Sequence, residues 1–131
     1  MTKDYELSTG KKIKVNLVRR GESNKWGGWH DVYQIIFNFD TGRVTSTFHN
    51  SIVNFGKPVD QRIVDDAVNC VCLDATCYDA YSSFHDFMDE FGYDYDDKEG
   101  NKVYRACESI YMRLNKYLTN EELYELESMT A

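Results

Sequence analysis

The chain has 131 residues, a formal net charge of −7, ten tyrosines and seven phenylalanines. That length suits one domain burying about two thirds of its unfolded surface, and the aromatic content excludes a disordered tail. No run of about eighteen apolar residues occurs, and the first residues, Met1-Thr2-Lys3-Asp4-Tyr5-Glu6, lack a signal-type apolar segment, so a cytoplasmic protein without membrane contact is predicted.

The N-terminal half alternates with period two. Ile13, Val15 and Leu17 share one face of a strand whose other face carries Lys12, Lys14 and Asn16. Tyr5 to Ser8 is predicted to pair with it across Thr9-Gly10. Gly21 to His30 then reads as a polar, glycine-rich loop holding Trp26 and Trp29 around Gly27-Gly28. A later strand places Tyr33, Ile35, Phe37 and Phe39 on one face, and Asp40-Thr41-Gly42 turns it into a further strand in which Val44, Ser46 and Phe48 alternate.

After Pro58 the apolar period becomes helical. Ile63, Val64, Ala67, Val68 and Val71 form one stripe, with Asp60, Asp65, Asp66 and Asn69 opposite. Ser82 or Ser83 is predicted to cap a short helix with Phe84, Phe87, Met88 and Phe91 inward, stopped at Gly92. Asp96 with Glu99 has capping-box spacing and opens a helix whose stripe is Val103, Cys107, Ile110, Leu114 and Tyr117, packed on the Tyr33–Phe39 face of the sheet. Thr119 with Glu122 repeats the spacing for a last helix carrying Leu123 and Leu126. Strands followed by helices predict an α+β fold: an N-terminal antiparallel sheet of three or four strands packed by C-terminal helices, as a single domain over residues 1–131.

Charge is segregated along this order. Between Asp60 and Glu99 twelve carboxylates face only Arg62 and Lys98, whereas the first fifty residues carry eight Lys or Arg against five Asp or Glu. Carboxylates spaced along helices can imitate a row of phosphates and occupy a basic nucleic-acid channel in another protein. The basic cluster Lys11, Lys12, Lys14, Arg19, Arg20 and Lys25, with Trp26 and Trp29 nearby, offers the opposite reading, a single-strand nucleic-acid platform. A solvated outer sheet face accounts for the same residues.

Motifs for other chemistry fail on register. If Asp94 begins an EF-hand loop, Lys98 falls at position five, Glu99 replaces the glycine at six and Arg105 replaces the glutamate at twelve. None of His30, His49 and His85 lies in a nucleophile motif, and no Walker loop, dinucleotide fingerprint or His-Glu-x-x-His is present. Cys70, Cys72, Cys77 and Cys107 lack paired C-x-x-C spacing and read as reduced thiols, with Cys70 and Cys107 in the core. No catalytic residue, metal or cofactor is predicted; a small metal-dependent enzyme stands as the third reading.

Phe91-Gly92-Tyr93-Asp94-Tyr95-Asp96-Asp97, Tyr104-Arg105-Ala106-Cys107 and Leu118-Thr119-Asn120-Glu121-Glu122-Leu123 together resemble a group of small bacteriophage and prophage proteins with a Phe-Gly-Tyr-Asp segment, a helix and a Glu-Glu-Leu end. Weaker likeness reaches back to Phe48-His49-Asn50-Ser51-Ile52 and Gly56-Lys57-Pro58. Those proteins usually carry Asp-Ser after the second acid, whereas Asp96-Asp97 stands here, and the Trp26–Trp29 loop lies outside the likeness. The resemblance implies a phage-type anti-defence inhibitor, similar to anti-CRISPR or antirestriction proteins, in a bacterial host cell. Its partner would be a host nuclease or CRISPR effector, bound by Asp86, Asp89, Glu90, Asp94, Asp96 and Asp97 with Tyr93 and Tyr95 adding contact area, or by Trp26 and Trp29. The alternative is a phage nucleic-acid accessory protein acting through the basic hairpin and tryptophan loop.

Overall fold

The computed structural model describes residues 1–25 and 27–131; Trp26, one of the predicted contact residues, lies outside them. Among the described residues the chain forms strands β1 (Thr2–Glu6), β2 (Lys12–Ser23), β3 (His30–Phe39) and β4 (Gly42–His49), a 3-10 turn (Ile52–Asn54), and helices α1 (Gln61–Ala80), α2 (Phe84–Phe91), α3 (Lys98–Leu114) and α4 (Asn120–Met129). The strands form one antiparallel meander in the order β1-β2-β3-β4. The fold is α+β, with the sheet packed against the helices. None of the described helices is long and apolar enough to cross a membrane.

The period-two pattern does what its spacing requires: Ile13, Val15, Leu17, Tyr33, Ile35, Phe37, Val44 and Phe48 are all buried. Facing them, α1 buries Ile63, Val64, Ala67, Val68, Val71, Cys72 and Ala75. Its small residues leave room for the sheet on one side and for α3 and α4 on the other, which makes α1 the central helix. Asp60 caps it by accepting from the Ile63 N–H. Lys3 Nζ and Tyr5 Oη, each 2.6 Å from Asp65 Oδ1, tie the edge strand to the same helix.

Three expectations change along the strands and α1. The first strand is Thr2–Glu6, and Leu7 to Lys11 form the turn instead, closed by the Leu7 N–H donating to Lys11 O and by Gly10 at φ 86°. The predicted loop Gly21–His30 is shorter, because β2 continues to Ser23 through a bulge between Arg19 and Gly21 and His30 already belongs to β3. A bulge shifts the alternation by one residue, so a strict period-two reading ends where it begins. Cys70 is exposed and Cys72 takes the core position, since the inward face of α1 has turned past Cys70 by that point; Cys107 is buried as expected.

The α3 stripe also divides. Ile110 and Leu114 join the main core, but Cys107 packs with Phe87 and Met88 in a second cluster bordered by Tyr78, Tyr81, Phe84, Tyr93, Val103 and Tyr104. The helix packs chiefly on α1 and also touches β4 and α2, so residues along it are shared between the main core and the cluster formed with α2. Tyr117 lies beyond the end of α3 and stacks on Phe39 at 4.5 Å and 4°. Gly42 carries no side chain because a Cβ there would run into the Tyr117 hydroxyl.

Candidate functional site: an acidic corner on α2 and α3

The predicted contact residues from Asp86 to Asp97 come together on the second cluster, at the corner where α2 turns into α3. Ser83 caps α2, with its hydroxyl accepting from the Asp86 N–H. Gly92 ends the helix at φ 72°, a left-handed conformation suited to glycine, and the Tyr93 N–H donates to Met88 O at 2.9 Å. Asn101 Nδ2 then pins the connecting segment by donating to Tyr95 O (3.1 Å) and Asp97 O (2.9 Å). The corner is thus held by caps at both ends and a side-chain clamp in the middle.

Within it the residues divide by role. Asp97, and not Asp96, is the cap of α3, its Oδ1 accepting from the N–H groups of Glu99 (2.8 Å) and Gly100 (3.2 Å). Sequence spacing misplaced the cap by one residue because adjacent aspartates both satisfy the pattern. Tyr93 is half-buried and packs inward against Gly100 and Met88. Tyr95 is 48% exposed, stacks on His85 at 4.3 Å and donates from its hydroxyl to Asp89 Oδ1 at 2.7 Å. The Asp89 carboxylate, followed by burial, raises the Tyr95 pKa, which keeps the phenol protonated. Asp86 accepts from the Ser82 hydroxyl. Glu90, Asp94 and Asp96 are exposed and, among the described residues, their carboxylates make no hydrogen bond or ion pair. Phe91, predicted to point inward, is 49% exposed beside them, since the inward side of this two-turn helix is already filled by Phe87 and Met88.

Gly100 is the hinge of this packing. A Cβ at Gly100 would sit 2.6 Å from both Met88 Cε and Tyr93 Cγ, and 2.8 Å from Tyr93 Cβ. Alanine normally stabilises a helix interior by about 1 kcal/mol relative to glycine. Gly100→Ala is nevertheless expected to destabilise the protein, by about 1–3 kcal/mol from overpacking, and to loosen Tyr93. Urea unfolding of the variant measures the first effect and the tyrosine near-ultraviolet circular dichroism the second.

The other predicted contact residue, Trp29, lies elsewhere. It is 53% exposed in the β2–β3 loop, where the neighbouring Gly28 packs against Ile52 of the 3-10 turn. Ile52, Val53 and Phe55 are exposed there too. Beneath this end of the sheet is a polar cluster that sequence reasoning missed. The buried Asp31 accepts from Arg19 Nε (2.9 Å) and from the Gly56 N–H (2.9 Å), and Arg19 also pairs with Glu22 at 2.8 Å. His30 and His49 meet on the opposite face, 3.0 Å apart between His30 Nε2 and His49 Nδ1. The bulge is the missing signal: it places Arg19 and Glu22 on the same side as Asp31.

On the outer face of the sheet, Lys12 stands directly across from Glu6 and Lys14 from Asp4. This alternation dilutes the positive field that a nucleic-acid platform uses. Among the described residues no group of three or more His, Cys, Asp or Glu side chains is placed to hold a metal ion. A scan against protein-family models found no match to this chain, and searches of curated proteins and of solved structures found none either.

Proposed function

We propose that the protein is a phage-type anti-defence inhibitor that acts by binding, with its acidic corner docked on the basic nucleic-acid channel of a host nuclease or CRISPR effector. The observation that carries this reading is the arrangement of Glu90, Asp94 and Asp96, exposed and without partners among the described residues, around the exposed rings of Phe91 and Tyr95. Aromatic anchors supply most interface energy, while surrounding charge steers encounter and selects a partner of opposite sign. Asp97, Gly92 and Asn101 hold the corner in shape before any partner arrives, so little ordering entropy is lost on binding.

The test is inhibition of DNA cleavage by a panel of bacterial restriction enzymes and CRISPR effectors, comparing the parent with the Glu90→Lys, Asp94→Lys, Asp96→Lys triple variant. These three side chains carry no internal bond among the described residues, so the variant retains its caps and its fold. Inhibition by the parent and a loss of about tenfold or more in the variant are expected, because each reversal converts attraction to repulsion. Equal inhibition by the two proteins would remove the acidic corner from the mechanism.

A further inference from the structure

We infer that the His30–His49 pair is a proton-operated latch that fixes the Trp29 loop to the sheet. His30 is the first residue of β3 and is buried; His49 is the last of β4 and half-buried. His30 Nδ1 lies 3.2 Å from Gly28 O, in the loop itself, and its Nε2 lies 3.0 Å from His49 Nδ1. A carbonyl oxygen only accepts, so His30 Nδ1 carries a proton. A neutral His30 therefore accepts at Nε2, and His49 donates from Nδ1. The pair also tolerates one added proton, since a single imidazolium still faces a neutral acceptor. With two added protons both facing nitrogens are donors at 3.0 Å, and the contact must open. Opening releases His30 from its fixed orientation and with it the Gly28 carbonyl that it holds.

The surroundings disfavour a proton on His49. Lys25 comes from the loop, and Arg19, Glu22 and Asp31 of β2 and β3 are engaged with one another on the other side of the sheet. The residues that follow His49, namely Asn50, Ser51 and Ile52, are uncharged. Burial lowers the His49 pKa, and the charges of His30 and Lys25 lower it further. A folded-state pKa below the ordinary value means that the closed state binds fewer protons than the open one. The latch is therefore fully closed above the ordinary histidine value of about 6.5 and is lost as pH falls below it.

The experiment follows Trp29 emission from pH 7.5 to 5 in a Trp26→Phe background, with and without His49→Asn. The parent emission is expected to shift to the red as the pair takes its second proton. The amide introduced by His49→Asn can donate to neutral His30 or turn to accept from charged His30, so the shift should vanish in that variant. Loss of the shift supports the latch; a shift unchanged by His49→Asn overturns it. Nuclear magnetic resonance of the histidine rings in the parent gives an answer even if that variant is unstable. The Gly28 and Trp29 amides are expected to move only when both rings are charged. Amides that stay still while both rings become charged would overturn the proposal.

Discussion

Leu114→Ala should destabilise the protein by about 2–5 kcal/mol, the range for truncating a buried leucine that leaves a cavity. Leu114 is fully buried in the main core, at the end of α3 where this helix reaches the shared cluster of sheet, α1 and α4. Its loss opens a cavity where those layers meet. A stability of about 5–15 kcal/mol is usual for a domain, so the expected cost is a large fraction of the total. Cys107→Ala removes one sulfur from the satellite cluster and should cost less. Urea denaturation followed by far-ultraviolet circular dichroism checks both, and a Leu114→Ala cost under about 1 kcal/mol would contradict the assigned packing.

Acid should weaken the junction of α4 with the first hairpin. Glu122 is buried, and burial alone would raise its pKa, but the Thr119 N–H (3.0 Å), Lys11 Nζ (2.9 Å) and the Thr9 hydroxyl (2.7 Å) outweigh that and lower it from 4.5 to about 2. The folded state thus favours the carboxylate more than the unfolded chain does. The resulting stability, on the order of 3 kcal/mol, is fully present above about pH 5 and is lost as pH falls toward about 2. Glu122→Gln should be less stable than the parent at pH 7, and the difference should shrink as the pH falls from 5 to 2. Unfolding curves across that range measure it; a parent–variant difference independent of pH would show that Glu122 has no such role.

Sequence patterning reveals local structure wherever one rule acts alone. The alternation at Ile13, Val15 and Leu17, the change of period after Pro58, and the Thr119–Glu122 capping box are all present in the fold, because each is set by neighbours within a few residues. What escaped the pattern depends on tertiary placement. The bulge after Arg19 moves Asp31, Arg19 and Glu22 into one cluster, and the packing of α3 against both α1 and α2 sends Cys107 to one core and Ile110 to another. For the candidate site, composition identified the acidic segment, yet could not separate Asp97, which holds a helix end, from Asp94 and Asp96, whose carboxylates hold nothing among the described residues. Tyr93 and Phe91 exchange their expected positions for a related reason. The limited space above Gly100 admits Tyr93, and α2 is too short to bury Phe91 as well.

The central claim is that binding proceeds through the acidic corner, and the association rate with an inhibited nuclease, measured by stopped flow across a range of salt concentration, tests it most directly. Electrostatic steering makes that rate fall steeply as salt rises. The parent should show this fall, the Glu90→Lys, Asp94→Lys, Asp96→Lys variant should associate slowly, without a fall as salt rises, and Trp29→Ala should behave as the parent. A parent rate indifferent to salt, or a triple variant that associates as fast as the parent, would contradict the account.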